Sequence, residues 1–259
     1  GTVTVLGSLA VVAYANNGVI NLDTLAVDNG MALATHGSGN ATVVNDEGFF
    51  FTDLESEVGG NLSVTATTGN ITSDAPSVTI AGTSSFTTSA NNATITLNDT
   101  GNSFAGAVSL NTTGSTGHAT IDNGTTALNV GTSSVGGNLT LTSGHASGIT
   151  DSGTVTVGGN LLATTDANSG VINLGTLAID GTVALTTNGS GNATVVNDAG
   201  LNFAATTVGG ALNATATTGN MTDSGALAIT GTSSFTTSAN NATIALDTTT
   251  NAFTGAVTI

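Results

Sequence analysis

The chain has 259 residues, 16 acidic side chains and no lysine, arginine, cysteine or tryptophan. A net charge of −16 with nothing to neutralise phosphates excludes nucleic acid and anionic membrane surfaces as partners. Without cysteine there is no disulfide framework, and no apolar run approaches the ~20 residues of a membrane-spanning helix. Gly, Thr, Ser, Asn and Ala dominate, yet mean hydropathy is +0.29 and Val, Leu, Ile and Phe alternate with polar residues, so a thin ordered core is expected rather than a disordered linker.

Along the chain, glycines punctuate the sequence at Gly7, Gly30, Gly60, Gly82, Gly106, Gly137, Gly159, Gly181, Gly210 and Gly231. Read as the starts of successive coils, they predict lengths of about 22–24 residues with every third coil near 30, the longer ones at 30–59, 106–136 and 181–209. The stretch 137–157 shows the plan of one coil. Asn138-Leu139-Thr140-Leu141-Thr142 alternates polar and apolar, 143–148 is turn chemistry, Ile149-Thr150 is short, Asp151-Ser152-Gly153 turns again, and Thr154-Val155-Thr156-Val157 is a second alternating strand. No stretch carries a helical period, and Thr, Val and Ile favour strands.

Larger repeats lie above the coils. GVINLDTLAV at 18–27 returns as GVINLGTLAI at 170–179; GSGNATVVND at 37–46 and GTSSFTTSANNATI at 82–95 return unchanged at 189–198 and 231–244. The unit is about 150 residues and is itself double, because GAVSLNTTGSTGHATIDNG at 106–124 resembles 181–200 at an offset of 75. Strands too short to bury a face alone, repeated at a fixed period, predict an all-β right-handed parallel β-helix of 10–11 coils, roughly 50 Å long. Residues 1–259 read as one uncapped solenoid segment of a longer repetitive chain, since Gly1 aligns with Gly153 and Ile259 with Leu110, both within a coil. The rival reading is a protomer that stacks head to tail on copies of itself.

The Val-Gly-Gly-Asn-Leu phrases at 135–139 and 157–161, with ITDSGTVTVGG at 149–159, resemble the repeats of filamentous-haemagglutinin-type adhesins and other giant bacterial surface proteins. That resemblance implies a secreted right-handed β-helix extending from a cell surface and mediating adhesion. The complete absence of basic residues departs from its familiar members. No catalytic residue follows from it.

Candidate sites are few. His36 and His118 are replaced by Asn188 and Asn192 in the second unit, and with His145 they read as turn residues. Asp53, Glu55 and Glu57, spaced i, i+2, i+4, share one face if extended and form a weak candidate site for Ca²⁺, but Ala204–Thr207 in the second unit has none of these acids. Other repeated acids, such as Asp28 with Asp180, are spaced apart rather than stacked. Asn138 and Asn160 are expected to form an asparagine ladder between neighbouring coils. No metal site, cofactor or catalytic group is otherwise predicted, and no enzymatic activity. The reading is an extracellular, structural or adhesive fibre whose partner is its own neighbouring coils. The alternative is a ligand-binding face: ice on outward Thr-x-Thr pairs such as Thr140/Thr142, or a glycan in a groove lined by Phe49, Tyr14 and acids.

Overall fold

The computed structural model describes residues 2–52 and 54–259. Among these the regular structure is entirely strand, and every inter-strand pairing is parallel. Successive strands stack on two faces of a β-solenoid of about twelve turns. On each strand the inward residues are Leu, Val, Ile, Phe or Ala and the outward ones Thr, Ser or Asn. Leu139-Thr140-Leu141-Thr142-Ser143, for example, alternates buried and half-exposed. The inward residues fuse into a single hydrophobic core that runs through the stack.

Within each turn one side is a straight strand of five or so residues and the other a bent path of two short pieces. Thus Leu62–Ala66 is straight, while Ile71–Ser73 and Val78–Ile80 form the opposite side of its turn. This outline reverses along the axis. On the first face the straight strands are Ala41–Asn45, Leu62–Ala66, Ser84–Asn91 and Val108–Thr113. The next four, Ala119–Asp122, Leu139–Ser143, Leu161–Thr165 and Thr182–Thr187, lie on the second face. From Ala193–Asn197 onward the straight strands return to the first face.

This reversal corrects the expected coil lengths. Paired residues on neighbouring turns lie about 19 to 24 apart, as in Ala193↔Leu212 and Ile71↔Ile95, and no turn reaches 30. The turn count is accordingly about twelve rather than 10–11. The glycines mark the corner before each straight strand. Their backbones stack directly: Gly60 donates to Gly39, Gly82 to Gly60 and Gly106 to Gly82 on one face, then Gly137 to Gly117, Gly159 to Gly137 and Gly181 to Gly159 on the other. A Cβ on Gly82 would stand 2.6 Å from the Gly60 carbonyl oxygen, so the corner admits no side chain. The interval from Gly106 to Gly137 is therefore a half turn to Gly117 plus one full turn. A 75-residue repeat spans three and a half turns, and the 150-residue unit spans seven.

Each reversal leaves strands of unequal reach facing one another, and the same three buried polar residues serve every seam. Asn45 accepts the Val27 N–H on Oδ1 (2.8 Å) and donates from Nδ2 to the Val27 carbonyl (3.1 Å), replacing the strand residue that Val27 lacks. Asn123 does the same to Phe104, and Asn197 to Ile179. Half a turn on, the Leu33, Leu110 and Leu185 N–H groups donate to the hydroxyls of Ser56, Ser133 and Thr206. At the adjoining corner Thr35, Thr112 and Thr187 each donate to one glycine carbonyl and accept from a glycine N–H of the following turn. One-residue bulges at Leu22/Leu25 and Leu174/Leu177 absorb the mismatch in strand length.

Asn123 is fully buried. Replacing it by Ala strands the Phe104 N–H and carbonyl and the Ala127 carbonyl, which together cost about 2–4 kcal/mol. Hydrogen exchange should show selective loss of protection at Phe104 and its neighbours, with distant turns unchanged because solenoid stability is local.

Candidate functional site

The outer surface is made of columns of like side chains. At the exposed corners an asparagine Oδ1 accepts a backbone N–H from the next turn: Asn40 from Asn61, Asn61 from Thr83, Asn138 from Asn160 and Asn160 from Thr182. The ladder expected at Asn138 and Asn160 is thus present at 2.9 Å. His118 begins that column, its Nδ1 accepting the Asn138 N–H at 2.8 Å as the asparagines do. His145 accepts Ser147 N–H within its own turn, and His36 stacks on exposed Tyr14 with ring centroids 6.2 Å apart. The three histidines therefore sit at corners of separate turns and do not converge.

The recurring aspartates at 151 and 223 also act between turns. Asp151 accepts the Gly175 and Thr176 N–H groups and the Thr176 hydroxyl; Asp223 accepts from Asp247 N–H and the Asn251 amide. Asp122 differs. Burial raises its carboxyl above the ordinary aspartate value, the Gly124 N–H opposes this at 2.8 Å, and Asp166 and Asp99 add repulsion. Asp99 is Thr248 in the second unit and Asp166 stands where the first unit has Tyr14, so the even spacing of the repeated acids does not extend to them.

Of the proposed cation ligands, Asp53 lies outside the described residues. Glu55 directly precedes the short strand Ser56–Val58, and Glu57 points outward from it; both are exposed. Among the described residues no group of three or more His, Asp or Glu is arranged to hold a metal ion. Phe49 and Phe51 are buried core residues, because the strand Phe49–Phe51 turns its first and third side chains inward, although Phe49 still borders a shallow groove beside Asp28 and Glu47, which Tyr14 does not reach. With Phe86 and Phe104 they form an edge-to-face stack, centroids 4.7 to 6.3 Å apart, that Phe203, Phe235 and Phe253 repeat in the second unit.

Outward threonines align in single columns. Thr72, Thr96, Thr120 and Thr140 follow one another on the second face, and Thr142, Thr164, Thr186 and Thr207 form another. They overlap only in the turn holding Thr140 and Thr142, so there is no paired Thr-x-Thr array across consecutive turns. Three shallow grooves of about 230, 310 and 330 Å³ lie along this second face. The first and last are the same place in the two units: Asp28, Asn70 and Thr72 in one, Asp180, Asn220 and Thr222 in the other. The expected groove of Phe49, Tyr14 and acids is met in part by the first, which holds Phe49, Asp28 and Glu47 but not Tyr14, and sequence reasoning missed the second. The further signal was the recurrence of Asp28 as Asp180 and of Asn70 as Asn220, at offsets of 152 and 150.

The model of a family described as repeats of unknown function (DUF5649) matches residues 24–111, 116–169 and 190–259. The chain belongs to this family. No curated protein and no solved structure matches it. The matched segments contain strands of both faces and all three seam asparagines, Asn45, Asn123 and Asn197.

Asp122→Asn keeps an acceptor for Gly124 and removes a carboxylate that the folded chain holds less readily than the unfolded one. Because the folded value is raised, the wild type loses stability as pH rises through the carboxyl range. The variant should therefore be the more stable near neutrality, and the difference should vanish below the ordinary aspartate value, as read from denaturation midpoints at the two conditions.

Proposed function

We propose that this chain is a stiff shaft segment of an extracellular, cell-surface or matrix filament of the adhesin type, and that it carries out no catalysis. The observation behind this reading is the uninterrupted parallel ladder with a single core through about twelve turns. Such a rod resists bending because each turn is hydrogen-bonded to the next along both faces, and its length is set by the number of repeats. Several polar groups serve the same end: the buried Asn45, Asn123 and Asn197 serve seams, and the corner asparagines and His118 tie neighbouring turns together. The haemagglutinin-type phrases at 135–139 and 157–161 support an adhesin setting. An acidic surface without lysine or arginine offers trypsin-like proteases no cleavage site and suits exposure outside the cell.

A spacer has a measurable consequence. In the native full-length protein, an in-frame deletion of residues 46–197 joins Asn45 to Asp198, the repeat equivalent of Asp46, and removes seven turns, about 34 Å at ~4.8 Å per turn. Electron microscopy should show filaments shorter by that length with the ~4.8 Å axial spacing kept, and attachment to the target surface should persist at reduced reach. Unchanged length, or attachment lost outright, contradicts a spacer role.

A further inference from the structure

We infer that the second face carries an extended binding track for a neutral glycan, with a terminal groove in each 150-residue unit. The two equivalent grooves share three polar groups, and the first adds Glu47 where the second has Ala199. Each has an exposed carboxylate, Asp28 or Asp180, whose oxygens accept no hydrogen bond among the described residues, and each has an asparagine, Asn70 or Asn220. The Oδ1 atoms of these asparagines are held by Thr94 and Thr243 N–H, so the amide is fixed with its Nδ2 donor outward. A half-exposed threonine hydroxyl, Thr72 or Thr222, completes the set.

An acceptor, a donor and a hydroxyl fixed on rigid strands suit vicinal sugar hydroxyls, which both donate and accept. In the first groove the half-exposed ring of Phe50 adds an apolar surface for a pyranose face. In the second, Asn202 replaces it, and its Oδ1 is buried without a hydrogen-bond partner. That oxygen gains a donor if a ligand hydroxyl reaches it.

Between these grooves the face continues the same chemistry. Thr72, Thr96, Thr120 and Thr140 run in register from the first groove to the middle one, which is lined by Asn138, Thr140 and Asn160 and adjoins the last. Seven turns put the outer grooves about 34 Å apart on one face, because only whole units return to the same side. A chain laid along the axis meets a threonine on each turn as far as Thr140, then the apolar Leu162 and Ala184 with Asn160 and Thr182 beside them. The charge of −16, with no cationic side chain, repels sulfated or uronate polymers and leaves neutral ones.

The test uses the full chain with neutral oligosaccharides, cellotetraose and chitotetraose, and with longer polymers of the same two sugars. Saturation-transfer NMR should show contact with at least one tetramer, lost in the Asp28→Ala/Asp180→Ala variant while its circular dichroism and melting are unchanged. The corresponding polymer, long enough to reach both grooves, should bind at least tenfold more tightly than its tetramer. Asp180→Ala alone should abolish that gain and keep tetramer binding at the first groove. No transfer with either sugar, transfer unaffected by the double substitution, or equal affinity for tetramer and polymer overturns the proposal. These outcomes are independent of filament length, so they leave the spacer reading to its own test.

Discussion

Direct stacking of one turn's backbone on the next constrains every other feature of this chain. Parallel ladders leave about 4.8 Å between turns. At the corners before the straight strands the chains approach so closely that only glycine fits, and columns such as Gly117, Gly137, Gly159 and Gly181 result. With the corners fixed, the inward positions must hold apolar side chains in register, and the outward ones repeat as columns of Thr, Ser and Asn. Nothing in this arrangement needs charge, which accounts for a composition with so few ionisable groups.

The repeat length then decides what faces where. A unit of three and a half turns places each copy on the opposite side from the last, so a half-repeat feature alternates and a full-repeat feature returns. The alternation has a structural cost: a straight strand must meet a bent one at every reversal. Asn45, Asn123 and Asn197 meet it by using the side-chain amide as a substitute peptide group, donor and acceptor together, which no hydrophobic residue can do. The hydroxyls of Ser56, Ser133 and Thr206 satisfy the complementary N–H groups on the other side. The seams are thus polar points in an otherwise apolar core, and they fix register where slippage would otherwise be easiest.

Much of this was legible in the sequence. Alternation at Leu139/Leu141 and Val155/Val157 announced strands, the exact recurrences announced a solenoid, and the position of Asn138 relative to Asn160 announced a ladder. Turn length was misread because glycine spacing was taken as coil spacing, although the glycine column moves to the other face at Gly39, Gly117 and Gly191. Gly117 sits in a Ser-Thr-Gly-His turn and looks no different from a loop residue. The seam asparagines were hidden for a related reason. Asn next to Asp at 45–46 or 197–198 reads as turn chemistry, and its burial depends on a strand residue 18 positions earlier. The groove expected around Phe49 was legible only in part, because the strand turns Phe49 and Phe51 inward and leaves Phe50 as the outward ring beside Asp28 and Glu47.

The half-turn geometry is most directly tested by disulfide trapping, since the chain has no native cysteine. Thr120 and Thr140 are paired on adjacent turns, at a separation suited to a disulfide, whereas a 31-residue coil would instead place Ser109 beside Thr140. In the full chain, Thr120→Cys/Thr140→Cys should oxidise to an intramolecular disulfide with the fold retained, and Ser109→Cys/Thr140→Cys should stay reduced. Efficient crosslinking of the second pair with failure of the first would contradict the account.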